Sequence, residues 1–232
     1  MEKLPWKNRL SSFIRGWAFP IIAAVLIATS FKSAIADWND VPTGSMIPSI
    51  LIGDRVFINK LAYGLKIPYT TRHLFRWAEP RRGDIVVFYS PLDRTRLIKR
   101  VIGLPGDTVA MVRNRLFINN EPLSYKMPDR LFLQEISADI EPDYRVFYEV
   151  LAGKTHPVMI SDHRSLLDSF GPIQVPADTF FMMGDNRDNS ADSRVFGFVD
   201  KDLILGHATN IVLSRDGSFF HPRWDRFFKK LT

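Results

Sequence analysis

Between Arg15 and Lys32 the chain carries no charge for sixteen residues, and this stretch sets what the rest can be. A run of that length is short for a bilayer span, which takes about 20 residues. Lys32 can snorkel, and Ala34-Ile35-Ala36 extends the apolar run, so the expected anchor is 16–36. Trp17 and Trp38 bracket it. As one helix they would stand about 30 Å apart, close to the hydrocarbon thickness. Trp at both ends is the pattern of an interfacial aromatic belt. Lys3, Lys7, Arg9 and Arg15 precede the run, whereas Asp37 and Asp40 follow it. That bias puts residues 1–15 in the cytoplasm and the chain after Trp38 outside. A cleaved secretory signal also fits a basic start, an apolar centre and a small-x-small site at Ala34-Ile35-Ala36. Lys32 and the two Trp favour a retained single-pass anchor.

Composition narrows the rest. The 232 residues suit one domain with a small appended lobe, and 46% hydrophobic content is enough for a core. Net charge is +6, but Lys and Arg are scattered rather than massed. An anionic membrane surface is therefore the expected partner, and nucleic acid is not. The absence of Cys removes disulfides, thiolate metal sites and Cys nucleophiles together.

Strand patterns dominate after the anchor, so the expected fold is mainly β and barrel-like. Arg55 to Lys60 alternates after Gly53-Asp54, and Ile85 to Tyr89 reads as a buried strand. Leu97 to Gly103 is another strand. Val109–Val112 and Leu116–Ile118 flank Arg113-Asn114-Arg115 as a hairpin. From 119 to 178 the pattern weakens between prolines, with one clear strand at Tyr144 to Val150. These patterns predict a catalytic β domain over 37–118 and 179–222, with a small inserted β lobe at 119–178. At 223–232, Trp224, Phe227, Phe228 and Leu231 fall on one helical face and basic residues on the other. This segment reads either as an amphipathic helix on a membrane or as one packed on the domain.

The chemistry narrows by elimination. None of His73, His156, His163, His207 and His221 sits in a catalytic context, and no Gly-x-Ser-x-Gly elbow exists. No His-Glu-x-x-His is present. Asp185, Asp188 and Asp192 fail as a calcium loop because Arg187 occupies its third position. No metal or cofactor is expected. What remains is a serine with a lysine: Ser45 in Pro42-Thr43-Gly44-Ser45-Met46-Ile47-Pro48, and Lys99 in Leu97 to Ile102. A serine in such a turn and a lysine on a strand are ordinarily structural. For Lys99 to act as a general base near pH 7, its pKa must fall from about 10.4 to about 7, which costs about 4–5 kcal/mol. Burial among Ile98, Val101 and Ile102 is the means available. Ser45 would then attack a carbonyl, with its own N–H and the Thr43 hydroxyl as oxyanion donors and Gly44 easing the turn.

At these residues the chain resembles the bacterial type I signal peptidases (leader peptidases). Pro42 to Asp54 is similar to that family's nucleophile segment, continued by Val56 to Lys60 and Ala62-Tyr63-Gly64. Arg82 to Phe88 and Ile98 to Asp107 are similar to its lysine segment, and Gly184 to Arg194 to its third signature. The resemblance implies that Ser45 is the nucleophile and Lys99 the base. It implies that Thr43 completes the oxyanion hole and that Ser190 hydrogen-bonds and orients Lys99. It makes Asp192 and Arg194 a supporting salt bridge. Val41, Pro42, Met46, Ile50 and Ile98 match positions lining shallow pockets for small side chains. The expected substrates are signal peptides of exported preproteins, cut after small-x-small, and the expected location is the bacterial inner membrane. Many Gram-negative relatives have two membrane segments where this chain shows one, and its insert is shorter than in the largest members. Two alternatives stand beside this reading: a LexA-like self-cleaving protein with a Ser/Lys dyad, and a membrane-anchored β binding module without activity.

Overall fold

The computed structural model describes residues 14–70, 72–136, 140, 142–216 and 221–231. Most of the expected cytoplasmic segment 1–15 lies outside the described residues, as does Thr232. A π-helical turn at Ile14–Ala18 leads into α1 (Phe19–Ala34). Ile21, Ile22, Val25, Leu26 and Ile27 are all exposed on α1, so the helix presents apolar side chains outward. It has 16 residues, about 24 Å of rise. Among the described residues no helix is long and apolar enough to cross a membrane. The expected span over 16–36 is shortened because residues 36–40 leave the helix for a strand. Trp38 pairs there with Phe57 instead of capping the helix.

The strands in chain order are β1 (Ala36–Asp40), β2 (Asp54–Asn59), β3 (Gly64–Lys66), β4 (His73–Arg76), β5 (Ile85–Tyr89) and β6 (Arg96–Gly103). There follow β7 (Thr108–Val112), β8 (Arg115–Ile118), β9 (Glu121–Pro122) and β10 (Ser124–Lys126). After the short helix α2 (Arg130–Ile136) come β11 (Tyr144–Leu151), β12 (Lys154–Ser161), β13 (Phe170–Gln174) and β14 (Thr179–Met183). Helix α3 (Ser193–Phe196), β15 (Val199–Asp200) and β16 (Ile204–Ser214) complete the regular elements. Seven strands form one antiparallel sheet in the order β1-β2-β16-β5-β6-β14-β15. It is an open sheet with β1 and β15 as edges, not a closed barrel. Bulges in β16, where it pairs with β2 and β5, bend it.

Apolar packing explains where the elements meet. Val41, Met46, Ile50, Val56, Ile58, Ile85, Val87 and Ile211 form a core cluster against which Ile98 packs. A second cluster joins Ile102, Val109, Met111 and Leu116 to Phe181 and Met183. The turn between β7 and β8 is Arg113-Asn114, both with positive φ (49° and 61°), which is the primed-turn geometry a tight hairpin favours. The small sheet β10-β11-β12 falls within 119–178. Strand β13 does not join it: it pairs with β7, so strand pairing crosses the expected lobe border.

The C-terminal segment forms no amphipathic helix. A single 3₁₀ turn at Trp224–Arg226 is followed by chain that returns to β16, with the Ile211 N–H donating to Lys229 O and the Leu231 N–H to Thr209 O. Backbone pairing with the sheet wins there, aided by the buried ion pair of Arg226 with Asp54 at 2.6 Å. Trp224 and Phe228 remain exposed.

One buried ion pair ties the small sheet to the loop that follows β14 of the main one. Glu149 in β11 and Arg187, both fully buried, meet through two bonds of 2.7 and 2.8 Å. Burial by itself pushes the Glu149 carboxyl up, but Arg187 and His156 outweigh it and hold the group well below the usual carboxylate range. Its contribution is therefore present at neutral pH and lost as the medium is acidified through the folded-state value. Arg187→Met, which strands the carboxylate, is expected to cost about 3–5 kcal/mol in denaturant melts of the detergent-solubilised chain. The double variant Arg187→Met/Glu149→Leu should recover most of that. A single variant as stable as the parent would show that this pair does not hold the sheets together.

Candidate active site

The nucleophile candidate lies on a 3₁₀ turn, Gly44–Met46, just beyond the edge strand β1. The turn is held from two sides. The Ile47 N–H donates to Gly44 O at 3.1 Å, and the Ile50 N–H to Met46 O at 2.9 Å. From across the molecule, the Asn186 N–H donates to Ser45 O at 3.1 Å and Asn186 Nδ2 to Gly44 O at 3.2 Å. Ser45 itself is half-buried. Its N–H, in the first turn, has no intrahelical acceptor and no backbone acceptor among the described residues. Thr43 caps the turn in extended conformation, exposed, with no side-chain capping bond.

Lys99 Nζ donates to Ser45 Oγ at 2.6 Å and to Ile98 O at 3.0 Å. The two residues are 54 positions apart, and strand β6 brings the amine to the serine. Lys99 is only 3% exposed. Its cross-strand partner Val86 and its near neighbour Val101 are fully buried. Burial is the main cause that lowers its pKa, to about 8. Asp192 and Asp185 oppose that fall and Arg194 assists it. When Lys99 loses its proton, the bond reverses: the Ser45 hydroxyl donates and the amine lone pair accepts. No histidine hydrogen-bonds Ser45 among the described residues.

The segment Gly184 to Arg194 wraps behind this pair. Arg194 holds Asp192 through two bonds, Nε to Oδ1 at 2.8 Å and Nη2 to Oδ2 at 2.7 Å, both side chains buried. Asp192 Oδ2 also accepts the Gly184 N–H at 3.0 Å. Arg100, next to Lys99, pairs with Asp185 at 2.7 and 2.8 Å, and neither side chain reaches solvent. Asp185 and Arg187 exchange backbone bonds with Met159 of β12, both at 2.8 Å. The small sheet thus grips the 185–187 loop, and that loop grips Ser45.

Ser190 is buried beside Gly184, and its Oγ has no hydrogen-bond partner among the described residues. The bond to Lys99 that the resemblance implies is not formed here. The expected pocket residues divide. Pro42 is exposed and Ile98 half-buried, whereas Val41, Met46 and Ile50 are buried in the core under the turn. The glycine requirement lies at a different position from the one expected. A Cβ on Gly44 would press on the flexible end of Ile47 at 2.9 Å, with Ile52 at 3.8 Å, but one on Gly184 would overlap the Ser45 carbonyl and Ser190. Sequence reasoning also missed Asn186, Arg100 and Glu149, because polar residues in strands and loops ordinarily face water.

The family model described as signal peptidase, peptidase S26, matches residues 14–213. Signal peptidase I of Pseudomonas fluorescens is 35% identical to this chain, over 92% of this chain and 76% of that protein. Signal peptidase I of Buchnera aphidicola subsp. Schizaphis graminum is 35% identical over 84% of this chain and 73% of its own. For signal peptidase I of Pseudomonas aeruginosa the figures are 34%, 88% and 70%. The matched residues run from α1 to the end of β16 and include the turn, the lysine strand and the loop that clamps them, so the chain belongs to the signal peptidase, peptidase S26, family.

Proposed function

We propose that this type I signal peptidase hydrolyses peptide bonds with Ser45 as nucleophile and Lys99 as general base. The observation that carries the assignment is the 2.6 Å contact between Ser45 Oγ and a lysine amine shut away from water. With a pKa of about 8, about one Lys99 in ten is neutral at pH 7, a tenfold rate handicap worth about 1.4 kcal/mol. A substrate strand that covers the amine removes further water and lowers the value again.

The reaction follows from these positions. Neutral Lys99 takes the Ser45 proton as Oγ attacks the scissile carbonyl carbon. The charge that develops on the carbonyl oxygen meets the Ser45 N–H and the Thr43 hydroxyl. The Lys99 ammonium then returns the proton to the leaving amine as the C–N bond breaks. Neutral Lys99 then takes a proton from water as the water oxygen attacks the acyl carbon, and returns it to Ser45 Oγ as the acyl C–O bond breaks, which releases the new carboxyl end and restores the serine. Ile98 O, 3.0 Å from Lys99 Nζ, orients the amine, and Ser190, whose buried hydroxyl has no partner among the described residues, lines the space beside Gly184. Asp192 and Arg194 support it.

The substrates are signal peptides of exported preproteins, cut after small-x-small. β1 is an edge strand of the main sheet, and an extended substrate adds as a strand beside the segment that leads from it to Ser45. Ile98 borders that path, with Met46 and Ile50 as its floor. The exposed apolar side chains of α1 support a membrane anchor, with the basic residues before it in the cytoplasm and the β domain outside the bacterial inner membrane.

Ser45→Ala and Lys99→Ala are each expected to lower kcat on a membrane-presented preprotein at least about a thousand-fold, with unchanged circular dichroism. Full cleavage by either variant would overturn the dyad. Gly184→Ala, by pushing the Ser45 turn off its position, should lower kcat about a hundred-fold with a smaller effect on KM. An unchanged kcat would show that the loop does not set the serine's position.

A further inference from the structure

A polar cavity of about 310 Å³ lies at the foot of α1, and neither Ser45 nor Lys99 lines it. Three cations from three elements line it: Lys60 from the turn after β2, Lys66 at the end of β3 and Arg96 at the start of β6. Ser33 of α1, Tyr69 and Tyr89 add hydroxyls. The two lysines are 7% and 4% exposed at the base of the cavity, whereas Arg96 and Tyr69 are exposed at its mouth, so the space is open to solvent on one side with buried ammonium groups at its floor. Asp37 serves two of the cations, 3.0 Å from Lys60 Nζ and 3.3 Å from Arg96 Nη1. Lys66 is different. Its ammonium donates to the Ile204 carbonyl, and no carboxylate lies in ion-pair range of it among the described residues.

A buried ammonium without a counter-charge, beside two further cations, is unfavourable until an anion joins it. Burial first, then Arg76 and Lys60, push Lys66 down to about 8, with Asp202 acting the other way. At neutral pH it is therefore still mostly charged. His73, which pairs with Lys66 across β3 and β4, is itself pushed down to about 4 by burial and by Lys66, and adds no charge. Ammonium and guanidinium groups that line one space match the oxygens of a phosphate group. The walls are fixed to the helix: Tyr69 OH and Thr29 Oγ1 lie 2.6 Å apart, and the Tyr69 N–H donates to Ser33 Oγ at 2.7 Å.

We propose that this cavity binds a phosphate group, with Lys66, Lys60 and Arg96 as its donors. Two sources share that chemistry: the headgroup of an anionic phospholipid and free inorganic phosphate. The headgroup source rests on the reading of α1 as a membrane anchor, which sets the foot of the helix at headgroup depth. Bound there, a headgroup would fix the start of β6, three residues before Lys99, relative to the bilayer.

The test uses the full chain in nonionic detergent. Lysine-selective ¹⁵N NMR, with inorganic phosphate titrated against chloride at constant ionic strength, should show saturable movement of the Lys66 signal. Its proton-release midpoint should rise from about 8 by one pH unit or more, because an anion favours the charged amine. Lys66→Met should bind phosphate at least ten-fold more weakly while still cleaving a detergent-solubilised substrate, which separates this proposal from the catalytic one. Vesicles of phosphatidylcholine with or without phosphatidylglycerol identify the source. A preference for phosphatidylglycerol that Lys66→Met loses assigns the headgroup, and phosphate binding without that preference assigns the free ion. A Lys66 signal indifferent to phosphate in the unsubstituted chain overturns the site, whatever the variant does.

Discussion

Exclusion of water from one amine is the constraint on which the catalytic face depends. Lys99 can take a proton from Ser45 only when it lacks one of its own, and in water it would keep it. The chain meets this by setting Lys99 inside the sheet, on β6 between β5 and β14, beside the fully buried Val86 and Val101. Two carboxylates work against it: Asp192 and Asp185 both raise the amine's pKa. Each is held by an arginine, Asp192 by Arg194 and Asp185 by Arg100. Those guanidiniums offset the negative charge beside the amine and so limit how far the two aspartates raise it.

The same ion pairs give the site its geometry. Arg187 and Glu149 join the loop behind the serine to β11, and Met159 joins it to β12. Asn186 then fixes the carbonyls of Gly44 and Ser45. A buried ion pair stabilises little compared with a hydrophobic substitute, but breaking one is costly. Such pairs specify position rather than add stability, which suits a loop that must hold a serine oxygen 2.6 Å from an amine. Gly184 has its place here, since any side chain would press on the Ser45 carbonyl.

Much of this was legible in the residues and some was not. The strands β5 and β6 follow from runs of β-branched residues, and the hairpin at Arg113-Asn114-Arg115 from the apolar runs Val109–Val112 and Leu116–Ile118 that flank it. Setting aside histidine, cysteine and metal sites leaves a serine with a lysine, and it is the resemblance of the segments around Ser45, Lys99 and Gly184 to Arg194 that pairs Ser45 with Lys99. The buried arginines were invisible, because Arg100 meets Asp185 from 85 positions away and Arg187 meets Glu149 from 38. Nothing local marks such a residue as internal. The end of α1 was misplaced because Ala34-Ile35-Ala36 is apolar whether it continues a helix or enters a strand, and pairing with β2 decides it. At the C-terminus helical spacing was present, but backbone bonds to β16 and the Arg226–Asp54 pair prevailed.

The most direct measurement is the protonation of Lys99 itself. In lysine-selective ¹⁵N NMR of the full chain in detergent, the Lys99 amine is identified by its loss in Lys99→Met. Its signal, followed against pH, should show proton release near 8, so that the neutral base accumulates as pH rises through that value. Release near the ordinary lysine value of 10.5 would mean that the amine is not held out of water, and would contradict the account at its root.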